Sequence, residues 1–287
     1  MTRTVGLLHP GEMGAVVGEC LRAGGARVVW ASAGRSDDSR RRATVAGLED
    51  LGRLAAVVAA SDVVLSVCPP GSAVDVARQV AAEGFRGLYV DANAVAPETA
   101  RRVDEVVGAA GADLVDGGII GPPPRQAGSA RLYLSGPRAG EAADLFKGTA
   151  LEAIVLTGDV GAASALKMAY AAWTKGSSAL LIAVRALAIH AGVDDALRAE
   201  WQCSQPGLEA RSESAVAGNA PKAWRFVGEM EEIARTFAAA GLPPGFHEAC
   251  AAVYDRLGRY KDASTLPTVA EVAEALGPRR ASGPRGV

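Results

Sequence analysis

The chain has 287 residues, 49% of them hydrophobic, and a formal net charge of −2 at pH 7. It can therefore bury one large core or two ordinary ones. The near-neutral charge and the lack of a basic block argue against nucleic acid as a partner. The four cysteines are scattered without CxxC spacing. This spacing argues against a metal site or a disulfide framework and favours a reducing compartment, the cytoplasm.

Short apolar runs alternate with helical stretches through the first half of the chain. Strands are predicted over residues 4–9, 27–32, 62–67, 88–93, 113–119, 131–134 and 152–156. Helices are predicted over residues 12–23, 37–46, 50–60, 73–83, 97–110 and 140–147. Apolar strands separated by helices indicate a mostly parallel sheet covered on both faces. Right-handed crossovers then make it a doubly wound α/β sheet of the Rossmann type.

The pattern changes near Gly158. Residues 162–190 are predicted to form one helix, roughly 40 Å long at 1.5 Å per residue. Only helical stretches follow, over residues 194–201, 207–217, 221–240, 244–257 and 268–276. We therefore predict a nucleotide-binding domain over 1–158 and an all-α domain over 159–277. A flexible tail is predicted over 278–287, which is rich in Gly, Pro, Arg and Ser.

The long helix is apolar nearly all round, but it contains Lys167, Lys175 and Arg185. These charges make it a poor membrane span and a good buried helix. One small domain cannot cover so much apolar surface. The sequence thus predicts a homodimer whose partner covers this helix, and no membrane partner.

The stretch Thr4–Gly14, TVGLLHPGEMG, joins the first strand to the first helix. It matches the dinucleotide signature G-x-G-x-x-G at its second and third glycines, Gly11 and Gly14, while His9 replaces the first. Such turns place a pyrophosphate on a helix N-terminus. The residues expected to bind it are His9, Pro10, Gly11, Glu12 and Met13. A tight turn without a ligand is the alternative.

Arg35 and Ser36 follow the second strand, about twenty residues past the glycine turn. An enzyme selective for NAD usually has an acid at this point, whereas an arginine suits a 2′-phosphate. Arg35 can donate two hydrogen bonds to phosphate, and Ser36 adds a hydroxyl. We therefore predict NADP(H) in preference to NAD(H). The alternative is a solvated basic helix start, which Asp37 and Asp38 favour.

Two further strand ends face the expected cofactor. Cys68 and Pro69 end one strand where backbone contacts to the cofactor are expected. Asn93 ends the next strand and is expected to face the nicotinamide carboxamide or the substrate. Its alternative is an Asx-type cap. Cys68 by itself is more typical of a small core residue than of a nucleophile.

Lys167 is the candidate catalytic residue. It is the first charge in the long apolar helix and follows the glycines Gly158 and Gly161. Partial desolvation of a lysine lowers its pKa towards the range that a general acid/base requires. The alternative is a lysine whose ammonium extends to the surface. Tyr170 and Thr174 share its helix face.

Together with this turn, the segments 66–70 (SVCPP) and 90–93 (VDAN) resemble the β-hydroxyacid dehydrogenases. That superfamily also holds 6-phosphogluconate dehydrogenase and the imine reductases. The resemblance covers nearly the whole chain. Residues 116–122 (DGGIIGP) stand where the family has its substrate-binding D-A-P-V-S-G-G, and 158–167 resembles its glycine-to-lysine segment. Residues 223–232 resemble a less characterised branch with its own C-terminal helical domain.

The resemblance implies a Rossmann domain joined to an all-helical domain by one long helix. It also implies a dimer with interlocking helical domains and an active site in the cleft. Hydride would move to or from the nicotinamide C4, with Lys167 as general acid/base.

The substrate segment departs from the family pattern. Ile120 and Pro122 replace a serine and the second glycine, and the asparagine usual on the lysine face is missing. The proline also removes a backbone N–H. A bulkier or less anionic carbonyl compound is therefore favoured over a small 3-hydroxy acid. The residues expected to contact it are Ile120, Gly121, Pro122, Tyr170 and Thr174.

The sequence thus predicts an NADPH-dependent oxidoreductase that acts on a carbonyl/alcohol pair through Lys167. An imine reductase of the same architecture is one alternative. In that branch aspartate or tyrosine usually replaces the lysine, which counts against it, whereas Tyr170 and the altered substrate segment count for it. A non-catalytic NADP(H)-binding protein is the other alternative.

Overall fold

The computed structural model describes residues 2–261 and 263–277. The predicted tail, 278–287, lies outside the described residues. The chain divides between Tyr170 and Ala171 into two compact units. This division falls inside one continuous helix, twelve residues after the predicted domain boundary at 158–159.

The N-terminal unit contains a mixed sheet with helices on both faces. Its strands are β1 (Thr4–Leu8), β2 (Arg27–Trp30), β3 (Glu49–Asp50), β4 (Val63–Ser66), β5 (Leu88–Asp91), β6 (Asp113–Ile120), β7 (Ala130–Ser135) and β8 (Leu151–Val155). Its helices are α1 (Glu12–Ala23), α2 (Asp37–Val45), α3 (Leu54–Ala60), α4 (Ala73–Ala82), α5 (Pro97–Ala109) and α6 (Ala139–Asp144).

The strand order confirms the predicted doubly wound topology. The strands lie in the order β3-β2-β1-β4-β5-β6-β7-β8. All neighbouring pairs are parallel except β6 and β7, which are antiparallel. The chain reverses direction across the sheet between β1 and β4. In such sheets ligands bind at the carboxyl ends of the strands beside this switch point.

Successive strand residues belong to two separate cores. In β4, Val63 and Leu65 pack into one hydrophobic cluster and Val64 into the other. The same alternation separates Val90 from Tyr89 in β5. Burying a side chain of this size stabilises a fold by roughly 1.5–3 kcal/mol. The sheet therefore has an apolar layer on both faces, as its continuously apolar strands require.

The structure differs from the prediction around residue 50. Glu49 and Asp50 form β3, and the helix predicted over 50–60 begins only at Leu54. The Asp50 carboxylate accepts hydrogen bonds from the backbone N–H groups of Ser32 and Gly52, at 3.2 and 2.8 Å. Gly52 has a φ of 76°. This turn ends the strand and delays the helix.

The second unit is helical throughout its described residues, as predicted. Helix α7 (Ala162–His190) crosses from the first unit into the second. The helices that follow are α8 (Asp194–Ser204), α9 (Leu208–Asn219), α10 (Ala223–Ala239), α11 (Gly245–Arg256) and α12 (Val269–Leu276).

The charges of α7 are bonded within the protein. Lys175 forms an ion pair with Glu229 at 2.7 Å, and Arg185, only 4% exposed, pairs with Asp194 at 2.7 Å. By length and composition alone, α7 could cross a membrane, the one such helix among the described residues. Its buried, paired charges are those of a protein-core helix.

Candidate active site and cofactor-binding turn

The turn between β1 and α1 keeps a glycine-like backbone without its first glycine. His9 has a φ of 66°, the one positive φ of a non-glycine residue in the described part of the chain. The N–H of Gly11 donates to the His9 carbonyl at 2.7 Å. The histidine thus adopts the left-handed conformation that a glycine provides at lower cost.

The two retained glycines have separate roles. A Cβ at Gly14 would lie 2.6 Å from the His9 carbonyl oxygen, so only glycine lets α1 approach the strand end. A Cβ at Gly11 would meet no atom within 4 Å, so the turn is open above it. Helix α1 begins directly after Gly11, whose lack of a side chain leaves this N-terminus without a side-chain cap. An open glycine at an uncapped helix N-terminus fits a pyrophosphate.

A cavity of about 180 Å³ opens beside this turn. Its polar side is formed by His9, Arg35, Arg53 and Gln79. Its apolar side is formed by Leu7, Leu8, Ala31, Ala33, Leu54 and Val76. A lining that combines apolar side chains with three nitrogen-rich ones suits an adenosine that carries an extra phosphate.

The structure therefore places the predicted Arg35 and His9 together and adds Arg53 and Gln79. Sequence reasoning missed Arg53 because it follows the two-residue strand β3, which carries no apolar pattern. Gln79 lies in the middle of α4. The spacing of the apolar residues in α4 could have indicated Gln79, because it leaves position 79 outside the buried face of that helix.

Ser36 is engaged as a helix cap. Its hydroxyl accepts the Ser39 backbone N–H at 3.3 Å at the start of α2. Asp38 pairs with Arg41 at the surface, and Arg42 donates to the Pro10 carbonyl at 3.3 Å. Of the arginines between positions 35 and 42, Arg35 is the one that lines the cavity.

The local field keeps His9 neutral. Burial, reinforced by the charge of Arg35, lowers the pKa of His9 to about 4. Burial also lowers the pKa of Arg35 itself. The positive, partly desolvated Arg35 beside the neutral His9 makes this a region that favours an anion.

Cys68 and Asn93 bond to each other across the ends of β4 and β5. The Asn93 side-chain oxygen accepts the Cys68 backbone N–H at 2.5 Å, and its amide nitrogen donates to Ser66 at 3.1 Å. Asn93 is 1% exposed. Burial raises the pKa of the Cys68 thiol to about 12, so the thiol is not a nucleophile at neutral pH. The predicted cofactor contacts of Cys68, Pro69 and Asn93 stay predictions.

Lys167 lies in the second turn of α7, directly over β6. Its Nζ donates to the Ile119 carbonyl at 2.8 Å. A Cβ at Gly118 would lie 2.9 Å from the Lys167 Cβ and 3.0 Å from the Ala163 carbonyl oxygen. Glycine at position 118 is therefore what allows the helix to pack this closely on the strand.

A fully buried carboxylate anchors the start of this helix. Asp116, in β6, accepts hydrogen bonds from the Gly161 N–H at 2.9 Å and the Ser164 N–H at 3.0 Å. It also accepts the hydroxyls of Ser164 at 2.5 Å and Ser135 at 3.0 Å. A carboxylate is stabilised at a helix N-terminus by these donors and by the helix dipole.

This anchor was missed by sequence reasoning, which placed Asp116 only within a substrate segment. It joins three segments that are distant in the chain, and no local spacing shows that. The serine at position 164, in the first turn of a predicted helix, was the available signal.

The substrate residues are partly brought together. Ile120 is 4% exposed, so its side chain faces the core. Gly121 has a φ of 124°, and a Cβ there would lie 2.4 Å from the Ser129 carbonyl oxygen. Pro122 is exposed beside it, and Tyr170, one turn beyond Lys167, is 46% exposed. Thr174 lies in the second unit, and its substrate contact stays a prediction.

Part of the helical unit matches a known protein family. Residues 188–257 match a family model described as a domain of unknown function, DUF1932. A relative from Methanothermus fervidus, an uncharacterized 28.5 kDa protein from the 7S RNA 5′ region, is 33% identical over 165 residues. That match covers 57% of this chain and 62% of the relative.

Solved structures match nearly the whole chain. A conserved protein of unknown function, described as structurally similar to 3-hydroxyacid dehydrogenases, is 28% identical with a TM-score of 0.65. The match covers 90% of this chain and 97% of that one. A conserved hypothetical protein from Sinorhizobium meliloti is 27% identical with a TM-score of 0.67, covering 96% and 97%.

Structures of lower sequence identity share only the fold with this chain. A 3-hydroxyisobutyrate dehydrogenase from Mycobacterium tuberculosis is 18% identical with a TM-score of 0.68, covering 96% of this chain and 99% of that one. DUF1932 is the C-terminal domain family of the same superfamily. The chain therefore resembles the β-hydroxyacid dehydrogenase superfamily in its fold, and its C-terminal region matches a domain family of that superfamily. The resemblance expected from the glycine turn and the lysine segment is thus confirmed.

Further solved structures share the fold at low identity. They include a Streptomyces aurantiacus imine reductase, 17% identical with a TM-score of 0.52 over 96% of this chain. Psf3, solved with NADP⁺, is 19% identical with a TM-score of 0.63 over 95% of this chain. Both cover 100% of the solved chain.

Proposed function

We propose that this chain is an NADPH-dependent oxidoreductase that interconverts a carbonyl compound and its alcohol, with Lys167 as general acid/base. One observation carries the proposal. Lys167 is held by the Ile119 carbonyl at 2.8 Å, on a helix whose N-terminus is anchored by buried Asp116. This is a fixed, partly buried amine at the carboxyl end of β6, and the sequence resemblance implies the catalytic role for this lysine.

The cofactor assignment is supported by the turn and the cavity beside it. The open backbone at Gly11 suits the pyrophosphate, and Arg35 with Arg53 suits a 2′-phosphate. Related folds hold dehydrogenases and a protein solved with NADP⁺. We propose NADP(H) in preference to NAD(H) on the strength of the two arginines.

The bound nicotinamide would supply or accept the hydride. In reduction, the Lys167 ammonium gives a proton to the substrate oxygen. In oxidation, the neutral amine takes the hydroxyl proton. The Ile119 carbonyl keeps the amine in one position in both directions, so that little rearrangement accompanies proton transfer.

The substrate segment supports a bulky or weakly anionic substrate. At the segment's C-terminal end, the exposed ring of Pro122 offers apolar surface and no N–H. Nearby Ile120 contributes only its backbone, because its side chain is buried. A small carboxylate would therefore find few donors on this segment.

An imine reductase is the second candidate. Tyr170 is 46% exposed and lies one helix turn after Lys167, which supports its phenol as the proton donor for an imine. Reductases of imines share the fold. The two candidates differ in substrate and in proton donor, but both reduce a polar double bond with the same cofactor.

A homodimer is proposed from an apolar stripe on α7. Leu166, Trp173, Leu180 and Leu187 recur every seven residues and are 36–69% exposed. With Tyr170 they form one continuous helix face. Stripes of this size on a monomer mark an interface. We propose that a second copy covers it, and that the protein acts in the cytoplasm on a small molecule.

The experiment that tests the function is a substrate panel with the purified protein. Ketones, semialdehydes and cyclic imines of increasing size would be offered with NADPH, and the loss of absorbance at 340 nm followed. Reduction of carbonyl compounds supports the favoured proposal, whereas turnover of imines alone supports the second candidate. NADPH binding without turnover of any compound would indicate a non-catalytic NADP(H)-binding protein.

A further inference from the structure

His9 occupies a backbone position that a side chain normally avoids. Its φ of 66° is the left-handed conformation, where a Cβ is crowded and a glycine is not. The remainder of the turn keeps its glycines at positions 11 and 14. Outliers of this kind concentrate at functional sites. The histidine side chain at this position therefore calls for a role.

His9 contributes to the cavity beside the turn. His9 lines that cavity together with Arg35 and Arg53. Its Nδ1 atom is buried and has no hydrogen-bond partner among the described residues. A buried ring nitrogen without a partner is costly, and an anion that packs against the ring is one group that could satisfy it.

The groups around His9 are mainly cationic. Arg35 approaches from the loop after β2 and Arg53 from the start of α3, while Arg42 of α2 donates to the neighbouring Pro10 carbonyl. The Cys68 thiol, from the end of β4, is neutral because its pKa is about 12. Glu12, at the start of α1, is acidic and exposed. Without an anion, this field disfavours a second proton on the imidazole.

We propose that His9 is a third donor to the 2′-phosphate of NADP(H), beside Arg35 and Arg53, and that it takes up a proton from solvent when that phosphate binds. The inference rests on the proposed function and deepens it. The phosphate dianion reverses the local field, so the imidazolium becomes favourable and donates to a phosphate oxygen. Cofactor affinity then rises as the pH falls.

The test is calorimetric titration with two probe nucleotides, 2′,5′-ADP and 5′-ADP, at pH 6.5 and pH 8.5. Each is run in two buffers with different ionisation enthalpies, which gives the number of protons taken up. His9→Gly removes the imidazole and restores the residue best suited to the left-handed backbone, so the turn is retained. His9→Asn keeps a donor that tolerates this backbone but cannot titrate.

We expect His9→Gly to weaken 2′,5′-ADP about 10- to 100-fold at pH 6.5 and clearly less at pH 8.5. Binding of 5′-ADP should change less than about 3-fold, a small difference on this scale. Wild type should take up more protons than His9→Gly on binding 2′,5′-ADP. His9→Asn should keep part of the affinity and lose the pH dependence.

Other outcomes distinguish a failure of the His9 role from a failure of the NADP(H) assignment. Equal losses for both nucleotides would assign His9 to the pyrophosphate turn and overturn the 2′-phosphate role. Unchanged binding by His9→Gly, with wild type still selecting 2′,5′-ADP, would remove His9 and leave the NADP(H) assignment standing. If wild type binds the two nucleotides equally, or binds neither, the NADP(H) assignment itself fails.

Discussion

Asp116 and Ser164 are joined by two hydrogen bonds, from the serine hydroxyl at 2.5 Å and from its backbone N–H at 3.0 Å. One residue lies in the last parallel strand before the sheet reverses, the other in the first turn of α7. Lys167 follows Ser164 by three residues, so it lies on the same side of the helix. The strand thereby sets both the start of the helix and the direction of its lysine.

Asp116→Asn should destabilise the protein by about 1–3 kcal/mol, because an amide cannot accept every hydrogen bond that the carboxylate accepts. Urea unfolding followed by circular dichroism measures this. Asp113→Asn is the matched control, since Asp113 begins the same strand but pairs with Arg138 at the surface. That control should change stability by less than about 0.5 kcal/mol. Equal effects of the two changes would contradict a special role for Asp116.

Lys167→Ala should lower kcat by about 10²- to 10⁴-fold, the usual cost of losing a general acid/base. Lys167→Arg should do nearly the same, because a guanidinium keeps the charge but does not give up its proton near neutral pH. NADPH affinity should stay within about 3-fold in both, by calorimetry. Lys147→Ala, at an exposed pair with Asp144, is the control and should retain full activity. A fully active Lys167→Ala enzyme would rule out the proposed chemistry.

Gly11→Ala should leave stability unchanged and weaken NADPH and NADH alike by about 10-fold or more. The added methyl meets no protein atom within 4 Å, so it projects into the space above the helix N-terminus where a pyrophosphate would lie. Thermal unfolding and titration with both cofactors measure the two effects. Gly140→Ala, also open, should bind both cofactors as wild type does. Normal cofactor binding by Gly11→Ala would place the dinucleotide elsewhere.

Arg35→Ala should raise the Kd for NADPH by about 10- to 100-fold and that for NADH by less than 3-fold. The guanidinium lines the cavity and would bond the phosphate that NADH lacks. Arg53→Ala should shift both constants in the same directions. The surface change Arg41→Ala, which breaks an exposed pair with Asp38, serves as the control. A similar loss of affinity for both cofactors would remove the basis for NADP(H) selection.

The stability of the free protein should depend on pH through His9. Its pKa is about 4 when folded and 6.5 when unfolded, so between these values the unfolded chain binds more protons. The contribution of His9 to the free energy of unfolding, up to roughly 3 kcal/mol, is fully present above pH 6.5 and is lost as the pH falls towards 4. Urea unfolding from pH 4 to 8 measures it. The corresponding slope should be smaller in His9→Gly, and an unchanged slope would assign it to other groups.

Most of the fold was predictable because the strands are apolar and the helices are long. The limits of α1 and α7 match the predicted residues, since periodic patterns and glycines mark both ends. Strand β3 was missed because Glu49 and Asp50 are polar and form a strand only by pairing with β2. Local pattern carries no information about such a pairing.

The candidate site was predictable by residue type but not by its bonds. Lys167 stands out in sequence as a charge in an apolar helix. Its partner is the Ile119 backbone carbonyl, which every residue possesses and which no motif distinguishes. The approach of Arg53 to Arg35 and His9 depends on the sheet order, which brings β1, β2 and α3 together.

The segment from Asp116 to Pro122 contains positions that tolerate substitution and positions that do not. Positions 118 and 121 have no room for another atom, and position 116 is committed to holding the helix. Pro122 is exposed to solvent and is not subject to either constraint. A mutant library aimed at new substrates should therefore vary position 122 and the exposed ring of Tyr170. Gly118, Gly121 and Asp116 should be kept, because they hold the strand and the helix in place around the varied positions.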